Sequence, residues 1–257
     1  MSRTVATWNV NSLRVRLPHL TEWLAANPVD AIALQETKLP DADFPAADLQ
    51  ALGWNSAFSG QRTYNGVAIL SREPATDVVA GIPGFDDEQR RVLAASLGSL
   101  RVIDVYVPNG QTVGSDKFAY KLRWFDALRE YVAAELTRHP HLVVLGDFNV
   151  APEDRDVHDP KAWEGSVHVS PPERAALQAL LGTGLADCFR LFEQPEKSYS
   201  WWDYRMMAFR RNAGLRIDLI LASTALAQKC GACHIDKAPR QLERPSDHTP
   251  VVASFDI

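Results

Sequence analysis

Short, almost unbroken apolar runs that stop abruptly at an amide, a carboxylate or a histidine recur from one end of the chain to the other. Val5 to Asn9 predicts a first strand, Leu17 to Ala26 a helix stopped at Pro28, and Asp30 to Gln35 a second strand whose nearly continuous apolar residues imply cover on both faces. Phe44 to Leu52 predicts a short helix that begins at Pro45 and ends at Gly53. Val67 to Leu70 and Val92 to Leu97 read as strands joined by irregular chain rich in Pro and Gly, and Leu100 to Val107 follows a tight turn at Gly98-Ser99, which predicts a hairpin. Between Asp116 and Thr137, Phe118, Leu122, Phe125, Leu128, Val132 and Leu136 recur at three- and four-residue steps, the signature of a long helix lying on a sheet. His141 to Leu145 is a further buried strand. A polar loop from Ala151 to Pro171 leads to a helix over Pro172 to Leu181, and Ile217 to Ala222, Ala232 to Asp236 and Val251 to Phe255 supply the last strands. Strands joined here by helices and there by hairpins predict an α/β fold of two mixed sheets packed face to face with helices outside.

The stops matter because a buried strand that ends at a polar residue delivers that residue to the edge of its sheet. Glu36 follows Ala31-Ile32-Ala33-Leu34, and in the core an unpaired carboxylate would cost several kcal/mol. At a strand end it suits a hard divalent cation such as Mg²⁺, which takes oxygen ligands and is held by one or two carboxylates plus substrate phosphate. In Gly146-Asp147-Phe148-Asn149 an acid and an amide stand two residues apart, so in extended chain both face one side while Phe148 faces the other. Asp147 there can take a proton from water, and Asn149 can hold that water or a phosphate oxygen. Asp247-His248 is the sharpest pair: a charged imidazole can donate to a phosphoryl oxygen as charge grows, and Asp218, at the end of the run from Leu215, is the candidate carboxylate to fix and charge it. His19, His139, His141, His158, His168 and His234 show no ligand spacing, which makes zinc improbable. A phosphate-cradling Gly-rich loop and a nucleophile elbow are both missing.

Composition narrows the setting. A hydrophobic fraction of 46% and a charged fraction of 23% are those of an ordinary globular chain, and 257 residues fit one domain over 1–257. No apolar stretch approaches the roughly 20 residues of a membrane span, and the first residues lack a signal-peptide pattern, so a cytoplasmic protein is expected. Three cysteines, two of them as Cys230-Gly-Ala-Cys233, read as ordinary thiols. The net charge of −5 argues against indiscriminate polyanion binding, but Arg205, Arg210, Arg211 and Arg216 share one stretch without an acid.

Seven segments taken together carry a resemblance: Thr7-Trp8-Asn9-Val10-Asn11, Leu34-Gln35-Glu36-Thr37-Lys38, Tyr106-Val107-Pro108-Asn109-Gly110, Gly146-Asp147-Phe148-Asn149-Val150, Ser200-Trp201-Trp202-Asp203-Tyr204-Arg205, Gly214-Leu215-Arg216-Ile217-Asp218 and Pro245-Ser246-Asp247-His248. In this order the chain resembles the exonuclease III family of apurinic/apyrimidinic endonucleases. The resemblance implies a four-layer α/β sandwich with the site at one end, and hydrolysis, dependent on Mg²⁺ or Mn²⁺, of the phosphodiester 5′ to an abasic site in duplex DNA, with 3′–5′ exonuclease and 3′-end-cleaning activity beside it. It implies Glu36 as principal metal ligand, assisted by Asp247 and Asn9. Asp147 with Asn149 would act on the attacking water or the leaving oxygen, and His248 with Asp218 would polarise the phosphate, helped by Tyr106 and Asn109. Trp201, Leu215 and Ile217 would line a pocket for a bare sugar, Arg205 and Arg216 would hold flanking phosphates, and Asn11 stands where some relatives carry aspartate. A monomer is expected. Inositol-polyphosphate phosphatases and sphingomyelinases share the catalytic elements, and the Ser200 to Arg205 and Gly214 to Asp218 segments favour DNA over those substrates.

Overall fold

The computed structural model describes residues 2–257. Its strands are β1 (Ser2–Asn9), β2 (Ala31–Gln35), β3 (Asn55–Ser59), β4 (Val67–Ser71), β5 (Thr76–Ala80), β6 (Val92–Leu97), β7 (Leu100–Tyr106), β8 (Leu142–Asp147), β9 (Leu185–Asp187), β10 (Asp218–Ser223), β11 (Cys230–Ile235) and β12 (Val251–Asp256). They form two six-stranded sheets in the orders β11-β12-β1-β2-β4-β3 and β5-β6-β7-β8-β10-β9. Each sheet is mixed: β1 runs parallel to β2 and β7 parallel to β8, while the other neighbours are antiparallel. The hairpin at Gly98-Ser99 pairs Leu97 with Leu100 as the sequence predicts.

Alternation along the strands builds the layers. Val5, Ala31, Ala33, Val67 and Ile69 of the first sheet meet Leu93, Ala95, Val102, Val143, Leu145 and Ile220 of the second in one buried cluster between the sheets. The opposite faces are apolar too. Trp8, Ile32, Leu34 and Leu70 pack against Leu20, Trp23 and Leu24 of α1 (Leu13–Ala26) and Leu49 of α2 (Ala46–Ala51). Ile103, Val105, Val144 and Leu221 pack against Trp124, Phe125, Leu128 and Val132 of α3 (Asp116–Leu136). Past a short helix α4 (Pro160–Trp163), Leu177 and Leu180 of α5 (Pro171–Leu181) join the same layer. The result is the expected four-layer sandwich, and each fully buried aliphatic or aromatic side chain contributes about 1.5–3 kcal/mol to it.

α1 starts at Leu13, four residues before its apolar pattern, because the Leu13 amide donates to the Thr37 carbonyl and its side chain is buried. The capping oxygen of Ser115 accepts from the Phe118 amide at the head of α3, and Ser170 and Glu173 form a capping box at α5. Register then sets the site: Asn9 lies opposite Gln35, Tyr106 opposite Asp147, and Asp147 opposite Asp218, all at one end of the sandwich.

Candidate active site

Asp147 is the hub of this end. One carboxylate oxygen, Oδ1, accepts from the Asn149 amide at 2.9 Å, and Oδ2 accepts from Asn9 Nδ2 at 2.9 Å, a nitrogen that also donates to Glu36 Oε1 at 2.9 Å. His248 Nε2 lies 3.7 Å from Asp147 Oδ2, while its Nδ1 is held by Asp218 Oδ2 at 2.9 Å. Ser200 supports that pair from beneath, donating to Asp218 Oδ2 at 2.6 Å and accepting the backbone amides of Ile217 and Asp218. Asn149 Nδ2 donates to the Val107 carbonyl, and Asn109 Nδ2 reaches Asn149 Oδ1 at 3.3 Å. Glu36 and Asn149 take left-handed backbone angles, φ 52° and 50°, which residues with a side chain adopt at a cost and which concentrate at functional sites.

Charge follows from this packing. Burial pushes the Asp147 carboxyl up, the facing His248 charge opposes it, and Asp218 and Glu36 add to the rise, so its pKa reaches about 7. For His248 burial alone would favour the neutral ring, but Asp218, with Asp147 and Asp247 behind it, raises its pKa to about 10. Burial, together with Glu36 and Asp147, pushes the Tyr106 phenol well above its ordinary value and keeps it protonated.

Among the described residues, the donor atoms of Glu36, Asp147 and His248 lie within 4.8 Å of one another; with the His248 ring charged, the two carboxylates are the groups there that can hold a divalent metal. A cation fits there on this structure's own terms, because the Lys38 ammonium already sits 2.9 Å from Glu36 Oε2. Two expected ligands are placed differently. Asn9 turns its carbonyl to the Asn11 amide at 3.0 Å, so it presents nitrogen to Glu36 and Asp147 and holds the two acids together. Asp247 stands outside the cluster, its oxygens taken by Trp201 Nε1 at 3.0 Å and Asn11 Nδ2 at 2.9 Å. Burial works against its anion, but His248 and these donors hold its carboxyl below the usual range.

The expected phosphate contacts also divide. Arg216 is 1% exposed, bound to Asp156 at 2.6 Å and to Asp187 at 2.7 Å, which raise its pKa against the cost of burial. It ties the loop after β8 to the sheet and faces no solvent, so the sequence expectation for it is corrected. Arg205 is exposed beside Asp203. Of the two adjacent tryptophans, Trp202 is fully buried and Trp201 half-buried, as opposite-facing neighbours must be. Leu215 and Ile217 are buried in a cluster with Val157 and Val169, against which Trp163 and Trp201 pack. The Trp163 ring meets Trp201 edge-on at 6.5 Å, and His168 lies 6.4 Å from the same indole.

His168 is the residue that sequence reasoning set aside. It is buried, its Nδ1 lies 2.7 Å from the Asn149 carbonyl, and burial and the Lys121 charge lower its pKa to about 4. Lys121 was likewise missed: fully buried, it pairs with Glu173 and donates to the carbonyls of Asn149 at 2.8 Å and Asn109 at 3.1 Å, joining the two loops. Its signal was a lysine three residues after Phe118, on the apolar face of α3.

A family model described as the endonuclease/exonuclease/phosphatase family matches residues 6–248. The chain is 35% identical to exodeoxyribonuclease III of Haemophilus influenzae over 262 residues, covering 97% of this chain and 98% of that one. The chain belongs to the exonuclease III/AP endonuclease family. A 3′ phosphatase from Neisseria, solved bound to a product DNA hairpin, is 51% identical with a TM-score of 0.97, covering 99% of this chain and 100% of that one. An AP endonuclease from Archaeoglobus fulgidus is 39% identical with a TM-score of 0.95 over the same shares.

As an exonuclease III-type nuclease of DNA repair, the chain carries beside its site a rim that the sequence reading underrated. Met206 and Met207 are 76% and 65% exposed with φ of 57° and 50°, flanked by exposed Tyr204, Arg210 and Arg211. Apolar side chains held out among arginines suit insertion at a DNA groove. No helix among the described residues is long and apolar enough to cross a membrane.

Proposed function

We propose that this protein is a Mg²⁺-dependent phosphoesterase of duplex DNA that works chiefly at 3′ ends, removing a 3′ phosphate or a 3′ nucleotide, with incision 5′ to an abasic site as its slower activity. These reactions have one chemistry: water attacks phosphorus, the bond to O3′ breaks and a 3′-hydroxyl is left. Glu36 would hold the metal, whose bound charge would polarise a phosphate oxygen. Asp147, with a pKa of about 7, is suited to take the proton of the attacking water near neutral pH. Asn149, fixed by Asp147 and Val107, orients that water. The imidazolium of His248, charged by Asp218, donates to the phosphoryl oxygen where negative charge grows, and the protonated Tyr106 phenol adds a second donor.

The observation that carries the preference for 3′ ends is the filled space beside Trp201. A sugar without its base needs a pocket over Trp201, Leu215 and Ile217, yet Trp163 and His168 lie there and Leu215 and Ile217 are buried by the chain's own side chains. A terminal phosphate asks for no such pocket. The 51% identity to a 3′ phosphatase supports the same reading. Rates on matched duplexes with a recessed 3′ phosphate, a recessed 3′-hydroxyl and one internal abasic site test it. Removal of the 3′ phosphate should be at least about tenfold faster than incision, and His168→Ala or Trp163→Ala should narrow that gap by speeding incision. Incision faster than 3′ hydrolysis in the wild-type protein would overturn the preference, and full activity in EDTA would remove the metal from the reading.

A further inference from the structure

Between the sheets, one layer below the site, lies a buried polar group that the hydrolysis does not use. β1, β2 and β7 turn Val5, Ala31, Ala33 and Val102 inward, then Thr7, Gln35 and Asp104; the next inward positions of β1 and β7 are Asn9 and Tyr106 at the site, and Glu36 follows directly after the end of β2. Thr7, Gln35 and Asp104 are all 0% exposed. Gln35 Nε2 donates to Thr7 Oγ1 at 2.9 Å and to Asp104 Oδ1 at 2.7 Å. Gln35 Oε1 and Asp104 Oδ2 are both buried acceptors without a partner among the described residues. No lysine, arginine or histidine among the described residues forms an ion pair with Asp104. A carboxylate in this place would be an uncompensated charge in the buried interior, bonded to an amide whose own oxygen also needs a donor.

One proton answers both deficits. We propose that Asp104 is a neutral carboxylic acid in the working protein, its Oδ2 hydrogen donating to Gln35 Oε1, and that this acid–amide pair is a positioning device that fixes β2 against β7 and so sets Glu36 and Tyr106 at their working separation. Burial drives the Asp104 pKa well above its ordinary value, against the Gln35 amide and the backbone at Ala68, which favour the anion. The same proton converts two orphaned acceptors into a closed pair that crosses from one sheet to the other, and Thr7 extends the tie to β1, two residues before Asn9. The positioning half of the proposal rests on the function proposed above. The protonation half does not.

Asp104→Asn and Asp104→Leu test it, because asparagine supplies the same donor and acceptor without a titratable proton. The infrared difference between wild type and Asp104→Asn near neutral pH should contain the carbonyl stretch of a protonated acid; carboxylate bands there would overturn the proposal. On a 3′-phosphate duplex, Asp104→Leu should lower kcat by about 10- to 100-fold with KM within about twofold, as expected of a small misplacement of the groups at the reacting centre. Asp104→Asn should restore kcat to within about threefold of wild type. An asparagine variant as impaired as the leucine one would overturn the positioning role. If leucine prevents folding, Gln35→Glu serves in its place: set beside Asp104→Asn it still offers a matched acid–amide pair with the proton moved to the other strand, and the double variant should recover kcat where Gln35→Leu does not. Wild-type protein inactive on every 3′ end but showing the acid band would sink the proposed function and leave the protonation of Asp104 supported.

Discussion

His248 is charged chiefly because of Asp218, with Asp147 and Asp247 behind it, and that makes its behaviour predictable. Burial favours the neutral ring and Asp218 opposes it, with the pKa carried to about 10. The imidazolium is therefore present throughout the neutral range, and the donor to the phosphate is lost only as pH rises through that value. Its stabilisation of the fold has the same sign: a folded pKa above the unfolded value of roughly 6.5 gives stability that is complete below pH 6.5 and disappears as pH rises through about 10. Asp218→Asn removes the charge that opposes burial. The His248 pKa should then fall, the alkaline limb of the pH–rate profile should move to lower pH, and the rate at neutral pH should drop by about 10² to 10⁴. Titration of the imidazole by NMR, read beside the pH–rate profile, checks both statements. An unmoved alkaline limb would assign it to another group.

At the scale of elements the site depends on how closely β7 and β8 lie. Gly146 has φ 148°, and a Cβ there would come within 1.9 Å of the Val105 carbonyl oxygen. Gly146→Ala must therefore push β8 away from β7 immediately before Asp147, and a loss of about 3 kcal/mol or more in stability is expected, measurable by urea unfolding. Residual folded protein should cleave poorly, since Asp147 and Tyr106 are register partners across the same gap. Most of the strands legible in the sequence were those buried on both faces, whose apolar runs are continuous; the largely exposed edge strand β11 was the exception. β3, with its polar Asn55 and Ser56, and the largely exposed β5 at the edge of the second sheet lack that signal. The helix stripe of α3 was legible as a whole, but Lys121 was not, because its partner Glu173 lies on α5, 52 residues away.

Across the whole molecule, the residues that a linear reading could name were the ones at strand ends, and it placed Asn9, Glu36, Tyr106, Asp147, Asp218 and His248 at one end of the fold. It could not tell which oxygen or nitrogen each presents: Arg216 is bound to Asp156, 60 residues away, and Asn9 turns its amide nitrogen to Glu36 and Asp147. Nor could it see His168 against Trp201. Asn9 ends β1 and Glu36 follows β2 of the first sheet, Tyr106, Asp147 and Asp218 belong to the second, and Asp247 and His248 to the chain leading into β12 of the first. Four carboxylates thus meet at the seam between the sheets, opposed chiefly by His248 and Lys38. A divalent cation bound there would join the two sheets and relieve their mutual repulsion, and so would bind the folded chain and not the unfolded one. Mg²⁺ at about 100 times its dissociation constant should add roughly 2.7 kcal/mol to unfolding stability. Calorimetry should show the melting temperature rising with Mg²⁺ and returning with EDTA, and Glu36→Gln should abolish most of the rise. A Glu36→Gln protein that is stabilised as fully as wild type would move the cation away from the seam.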